Sequence, residues 1–513
     1  MLKENRDKTV MFLSIIDKLR EAVGMYPDKV AIIDNEDKYT YTSLWQEIVA
    51  CNAYLIKKGL LPGDRVALLL DNSFEYITSY YGVLAVGGVV VALNTSSKSS
   101  DVINWLDNSG ANILITESKY SDLYNEVIDS CKSLDVINLD LMHRHDELLV
   151  WSGSMGIHNA DIYHSPEIFQ ETNAAIIYTS GTTGKPKGVT LSHGNFIANF
   201  TEVINYLELT KNDSIVNILP FYYSYGNSIL HTHLMSGATI ILENSFMYPA
   251  KTLSKIIDNN VTGFSGVPAT YAILLNRVNL DDYDLGCLRY VTQAGGAMPQ
   301  AHIHKLISKL PHVKLFIMYG QTEATARLTY LDPEKLIDKL GSVGKPLHGI
   351  DLQIRDENNN KLGSSETGEI YVSGPNIMNG YWNNQQLTNE VLIDNYIKTG
   401  DLGFIDEEGY VFLTGRRSDM IKVGGNRISP LEIEEVINQL DGIVEVAATG
   451  VDDEILGQVI KLTVVLNDKS TINEKEIKAF CRKKLALYKI PKYINFVEAL
   501  PKTASGKIQR YLL

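Results

Sequence analysis

The densest gathering of groups suited to an anion is the run Tyr178-Thr-Ser-Gly-Thr-Thr-Gly-Lys-Pro-Lys-Gly188, directly after the apolar residues 174–177. Gly181, Gly184 and Gly188 let main chain approach a ligand closely and turn its N–H groups inward as a nest. Thr179, Ser180, Thr182 and Thr183 add hydroxyl donors, and Lys185 and Lys187 add positive charge. Phosphate binding is the chemistry such a loop serves. It is not a Walker A loop: neither Gly181 nor Gly184 begins the Gly-x4-Gly-Lys-Ser/Thr spacing, and Pro186 interrupts it. The competing reading is a plain Gly/Thr turn between strands, which would not need hydroxyls and lysines together.

The chain around this loop has 513 residues, 45% hydrophobic and 21% charged, so a folded protein of more than one domain is expected. With 47 basic against 61 acidic residues the formal charge is −14, which opposes non-specific attachment to nucleic acid or anionic membrane. An anionic substrate therefore requires cations and amides placed locally. Cys51, Cys131, Cys287 and Cys481 are scattered without CxxC spacing and read as reduced core thiols rather than a zinc site or disulfide framework. The first residues lack an apolar signal core, and the longest apolar stretch, 80–93, carries three glycines and is shorter than the ~20 residues of a membrane helix. A cytoplasmic location without stable membrane insertion is expected.

Strand and helix patterns alternate through the first part: helices over 44–58 and 74–87, strands over 65–70, 89–93 and 113–116. Such alternation predicts parallel α/β layers with crossover helices, continuing over 174–413. Residues 142–161, with His143, His145, Trp151 and several glycines, read as an irregular surface connection. Beyond a Gly-, Arg- and Asp-rich segment at 414–430, a helix over 431–439, strands over 444–451 and 459–466 and a helix over 474–485 predict a small α+β domain. No fixed-period repeat or low-complexity tract is present.

The 178–188 run resembles the signature of the adenylate-forming (ANL) superfamily of acyl- and aryl-CoA synthetases, amino-acid adenylation domains and firefly-type luciferases. Further motifs follow in that family's order. Gln293-Ala-Gly295-Gly296-Ala297 is similar to its adenine-side wall, and Tyr319-Gly320-Gln321-Thr322-Glu323 to its adenine and phosphate segment. The resemblance implies that the Tyr319 ring meets adenine, Thr322 the α-phosphate, and Glu323 a magnesium ion, for which a hard oxygen ligand is apt. It also implies phosphate roles for Thr179–Gly184 and Lys187, with Thr183 catalytic, ribose contacts from Asp401 in Lys398-Thr-Gly-Asp401, and flanking contacts from Phe412 and Arg416. Pro501-Lys-Thr-Ala-Ser-Gly-Lys507 resembles the family's C-terminal lysine motif and makes Lys507 the implied catalytic cation. The fold implied is a large α/β N-terminal domain of layered sheets and helices, 1–416, a hinge at 417–419, and a small mobile α+β C-terminal domain, 420–513. The family's usual hinge residue is Asp or Lys; this chain has Ser418 there, with Asp419 beside it. Lys422, Gly424, Gly425 and Arg427 fall in the family's thiol-acceptor region.

The implied activity is ATP-dependent activation of a carboxylic acid through acyl-AMP, with magnesium, followed by transfer to a thiol. Two anions must meet, and at ~4 Å two like unit charges repel by about 1 kcal/mol in water and about 4 kcal/mol at an effective dielectric near 20. Cations at Glu323 and Lys507 would offset this without a general base, which agrees with the lack of a Ser–His–Asp pattern. His231/His233 and His143/His145 are spaced i, i+2, unlike a zincin pair, and read as structural or exposed. Tyr222, Tyr223, Tyr225 and Gly226, with Met318 and Ala324, are the candidate acid pocket, equally readable as core packing. No Asp lies in 219–230 to pair a substrate ammonium, which favours a fatty or aryl acid over an amino acid. Coenzyme A is the first choice of acceptor, and the phosphopantetheine arm of an acyl carrier protein the alternative. A luciferase-like oxygenase or a non-catalytic nucleotide-binding relative would share the motifs.

Overall fold

In this computed structural model the described residues are 14–131, 133–142, 150–155, 166–179, 187–467, 470–503 and 506–513. They form two compact units. One comprises residues 1–244, 322–326 and 375–390, the other 245–321, 327–374 and 391–513.

In the first unit the β-branched runs pair as expected. Val89–Ala92, Arg65–Leu69, Ile113–Thr116 and Asp135–Asn138 lie parallel; the central residues of the first three are buried, as strands covered on both faces must be, while Val136 on the edge strand is half-buried. Asn173–Thr179 joins them in parallel beside Val89–Ala92. Lys187–Ser192 then pairs antiparallel with Asn173–Thr179, setting Tyr178 opposite Gly188 and Thr179 opposite Lys187. The two ends of the glycine-rich run are thus clamped as a hairpin. Gly188 is required there, because a Cβ would sit 2.8 Å from Ile176 Cγ2. Gly380–Tyr381 closes the sheet edge beside Lys187–Ser192, and Ser214–Asn217, Thr239–Leu242, Val30–Asp34 and Asp37–Thr40 form a second sheet region. Helix Phe74–Ala85 starts where the Ser73 side chain accepts from the Tyr76 N–H, and all of its residues except the half-buried Glu75 are buried.

One expectation is corrected. Within the predicted surface connection 142–161, Val150–Met155 is helical and Trp151 is fully buried. Glu47, on helix Tyr41–Lys57, accepts the Trp151 N–H at 2.9 Å and the Ser152 N–H at 3.0 Å. A carboxylate from far along the chain thus caps a short helix whose own residues offer no strong helical pattern. Burial raises the carboxyl's pKa, partly offset by these bonds. His143 and His145 lie outside the described residues.

In the second unit, Gly263–Gly266, Tyr290–Gln293 and Lys314–Tyr319 are parallel, followed antiparallel by Thr329–Leu331 and Lys345–Pro346. A separate antiparallel sheet contains Asp351–Arg355, Gly368–Ser373, Tyr396–Ile405 and Val411–Arg416. Residues from Ile421 onward have a hydrophobic core of their own, built from Ile421, Ile433, Val464, Ile477 and Ile494 among others. Its strands Ile443–Asp453 and Gly457–Leu466 and helices Pro430–Ile437 and Glu474–Lys484 follow the sequence expectation, and the short strands Ile421–Val423 and Tyr493–Phe496 are additional to it. The four cysteines are free, with Cys51 and Cys481 buried.

Candidate active site

Pairing of Tyr396–Ile405 with Val411–Arg416 sets Asp401 opposite Arg416. Arg416 Nε donates to Asp401 Oδ1 at 2.7 Å, and Tyr319 Oη donates to Asp401 Oδ2 at 2.7 Å. Tyr319 ends a buried strand, so two residues from distant motifs, Tyr319 and Arg416, converge on the buried carboxylate of Asp401. Burial, and then the Asp401 charge, pushes the Tyr319 hydroxyl far above its ordinary pKa, so it stays a donor. Asp401 likewise raises the pKa of Arg416. Phe412 stacks on Phe404 with ring centroids 5.0 Å apart. Gly320 and Gln321 are half-buried in the connection after Tyr319.

Gly295, Gly296 and Ala297 are exposed, with Gln293 Nε2 donating to the Gly296 carbonyl at 2.7 Å. A Cβ on Gly295 would meet Val267 Cγ1 at 3.2 Å, and a Cβ on Gly506 would meet Val267 Cγ2 at 2.7 Å. Val267 thus lies beside both the segment Gly295–Ala297 and the turn that carries Lys507. Lys507 is exposed; its N–H donates to Thr503 Oγ1 at 3.1 Å, and its carbonyl accepts the Thr503 N–H at 2.8 Å. Arg510 anchors the end of this turn by bonds of 2.5 and 2.9 Å to the two Glu434 oxygens.

Two further contacts seat the C-terminal segment within this unit. Helix Gln300–Lys309 begins after Pro299, which offers no side-chain cap, and Glu435 Oε1 accepts the Gln300 N–H at 3.2 Å instead. Arg427 pairs with Glu357 at 2.9 Å, although both are exposed. Ser418 lies in the turn Arg417–Asp419 and donates to Asp419 Oδ1 at 2.8 Å. Gly424 and Gly425, at φ +54° and +84°, turn the chain between two short strands; Lys422 on the first is exposed, and a Cβ on Gly425 would meet nothing within 4 Å.

In the first unit Glu323 sits in the turn Thr322–Ala324. Its carbonyl accepts the Met378 N–H at 2.9 Å, and its Oε1 accepts the Tyr381 hydroxyl at 2.9 Å. Asn376 Nδ2 donates to the Ala324 carbonyl, and Thr325 Oγ1 donates back to the Asn376 carbonyl at 2.6 Å. These bonds hold Thr325 and Ala326 at φ +52° and +83°, strained for residues with a Cβ. Among the described residues no hydrogen bond reaches the second Glu323 oxygen, and no group of three or more metal-ligating side chains occurs. One free carboxylate oxygen fits Mg²⁺, which takes one or two carboxylates plus nucleotide phosphates rather than a protein cage.

Thr322 Oγ1 lies 3.3 Å from Ser224 Oγ, at the start of helix Ser224–Met235. Tyr222 is buried, Tyr223 and Tyr225 are half-buried, and Asn94 Nδ2 donates to Tyr223 Oη at 3.2 Å. Gly226 answers to the chain's own packing, because a Cβ would lie 2.2 Å from the Pro220 oxygen. Ala324 is fully buried in the first unit; Met318, in the second, accepts from Arg327 Nε at 3.3 Å. His231 and His233 are buried and structural, with Tyr81 Oη 2.7 Å from His231 Nδ1. Ser180, Gly181, Thr182, Thr183 and Gly184 lie outside the described residues; Thr179 and Lys187 mark the hairpin's ends. Sequence reading missed Val267, Glu435 and Tyr381, none of which carries a spacing signal.

A family model described as AMP-binding enzyme matches residues 19–382, and one described as AMP-binding enzyme C-terminal domain matches 432–507. The chain belongs to the AMP-binding enzyme family. It is an adenylate-forming acid–thiol ligase, and its large α/β part and small C-terminal domain are that family's fold. This ligase is 32% identical over 524 residues to a long-chain-fatty-acid–CoA ligase of Bacillus subtilis (strain 168), covering 96% of this chain and 92% of the relative. It is 32% identical over 493 residues to a 2-succinylbenzoate–CoA ligase of Bacillus mycoides (strain KBAB4), covering 96% of each. The solved o-succinylbenzoate CoA synthetase of Bacillus subtilis, in complex with its acyl-adenylate intermediate, superposes with a TM-score of 0.83 at 28% identity, covering 96% of this chain and 97% of that one. Among the described residues of this ligase no helix is long and apolar enough to cross a membrane.

Proposed function

We propose that this ligase activates a fatty or aryl carboxylic acid with ATP and transfers the acyl group to coenzyme A. The observation that carries the reading is that Val267 lies beside both Gly295 and Gly506, so that the Lys507 turn and the 295–297 segment share a neighbour. In the first step a substrate carboxylate oxygen attacks the α-phosphorus, a P–O bond forms, and the bond to pyrophosphate breaks. Lys507 places its ammonium between the two anions, and Glu323 holds the cation that accompanies the phosphates. Bound magnesium would offset charge on the departing pyrophosphate. Asp401 accepts from the ribose hydroxyls while Tyr319 and Arg416 fix its two oxygens. Electrostatic stabilisation and positioning carry the step, with no side chain required as a base.

In the second step a thiolate attacks the acyl carbonyl and AMP leaves with its electron pair. The separate core of the segment from Ile421 onward supports treating it as a body that turns about 417–419 between the half-reactions. The turn Gly424–Gly425 would then admit the thiol arm. The names of the relatives above support coenzyme A as acceptor, and the absence of Asp in 219–230 favours fatty and aryl acids over amino acids. The test is pyrophosphate release over a panel of fatty, aryl and amino acids, repeated with coenzyme A and with a holo carrier protein. Thioester formed only on the carrier protein, or activity confined to amino acids, would contradict the reading.

A further inference from the structure

We infer that Tyr381 is a positioning residue for Glu323, fixing the carboxylate in the orientation from which it takes the divalent cation that accompanies ATP. The inference rests on the reading of Glu323 as the metal contact. Tyr381 is 9% exposed, and its hydroxyl donates to Glu323 Oε1 at 2.9 Å. Both ends of that bond are anchored. The main chain of Tyr381 pairs with Val189, its N–H donates to Thr388 Oγ1 at 2.9 Å, and the next residue, Trp382, donates its N–H to the Gly188 carbonyl at 2.7 Å. On the other side, the Met378 N–H holds the Glu323 carbonyl and Asn376 holds that of Ala324.

The segment 375–382 therefore grips the turn 322–324 by the Met378 main chain and by the side chains of Asn376 and Tyr381, and its residues Gly380–Tyr381 lie along the strand Lys187–Ser192. A phenol that occupies one carboxylate oxygen leaves the other for a cation and removes the freedom of the side chain to swing away. A hydrogen bond of merely structural value would alter folding stability and leave cation dependence alone.

The experiment titrates Mg²⁺ against the full-length protein at fixed ATP, following Trp fluorescence and, with Mn²⁺, the electron paramagnetic resonance of bound metal. Native protein, Tyr381→Phe, Glu323→Gln and the double variant are compared, with thermal melts as the check on folding. Tyr381→Phe is expected to raise the Mg²⁺ concentration at half-maximal binding by about 10- to 100-fold, the usual effect of removing an outer partner of a metal ligand. ATP binding without divalent cation should change less than about twofold, since Tyr381 acts through Glu323 and the cation it holds. In the Glu323→Gln background the same substitution should have no further effect. A cation midpoint unchanged by Tyr381→Phe while Glu323→Gln shifts it overturns the inference alone. No shift from Glu323→Gln refutes the underlying assignment. Should the Phe variant fail to fold, the same cycle with Tyr381→His decides.

Discussion

Replacing Asp401 by Asn tests whether the convergence of Tyr319, Arg416 and Asp401 serves the ribose of ATP. The amide keeps the shape of the carboxylate but removes its charge. In the native site each Asp401 oxygen already accepts one protein bond of 2.7 Å, so its remaining lone pairs face any hydroxyl presented to it. A hydroxyl bonded to an ionised acceptor contributes about 1.5–3 kcal/mol, against about 0.5–1.5 kcal/mol for a neutral one. At 1.36 kcal/mol per decade, loss of the 2′-hydroxyl should weaken native binding about 10- to 150-fold. In Asp401→Asn the same loss should fall to about 2- to 10-fold. Isothermal titration of ATP and 2′-deoxy-ATP into both proteins measures the four affinities, and their ratio isolates the coupling from any general weakening. Folding is a small complication, because the Arg416 side chain is 50% exposed and water covers much of the charge it loses. Equal discrimination against 2′-deoxy-ATP by both proteins would refute a ribose role for Asp401.

Lys507→Ala should lower pyrophosphate release by 100-fold or more, about 2.7 kcal/mol or more of transition-state stabilisation, while thiolysis of supplied acyl-AMP continues; equal loss of both would contradict the division of labour. Gly506→Ala places a Cβ 2.7 Å from Val267 Cγ2 at φ +79°, so it should depress acyl-AMP formation at least tenfold in single-turnover assays and spare thiolysis. His231, facing Tyr81 and near His193, is held at about 3 by burial, against about 6.5 unfolded. The unfolded chain therefore takes up a proton that the folded one does not as pH falls from 6.5 towards 3, and stability is lost in that window at up to about 1.4 kcal/mol per unit. Denaturant unfolding between pH 6 and 4 should show a shallower loss for His231→Gln than for the native protein, and parallel curves would contradict the assignment.

The ordered motifs, the parallel strands of the first part and the small C-terminal domain were legible in the chain. Each rests on local patterns: glycines and hydroxyls in one loop, β-branched runs, and helical spacing of apolar residues. Residues 142–161 were misread because the helix Val150–Met155 owes its start to Glu47, some hundred positions earlier, and no local pattern encodes such a cap. The sequence reading of Gly226 as part of the candidate acid pocket carried no sign of Pro220, whose oxygen takes the place a Cβ at 226 would need.

By itself the sequence named the groups a site could draw on: the hydroxyls and glycines of 178–188, the carboxylates Glu323 and Asp401, and the ammonium of Lys507. Only tertiary structure decided which groups share a neighbour. Asp401 meets Tyr319 across 82 positions, Glu323 meets Tyr381 across 58, and Val267 lies beside both Gly295 and Gly506. Hydrogen bonds and packing act over a few ångströms whatever the separation along the chain. A one-dimensional pattern can therefore name the donors, while the fold chooses their acceptors.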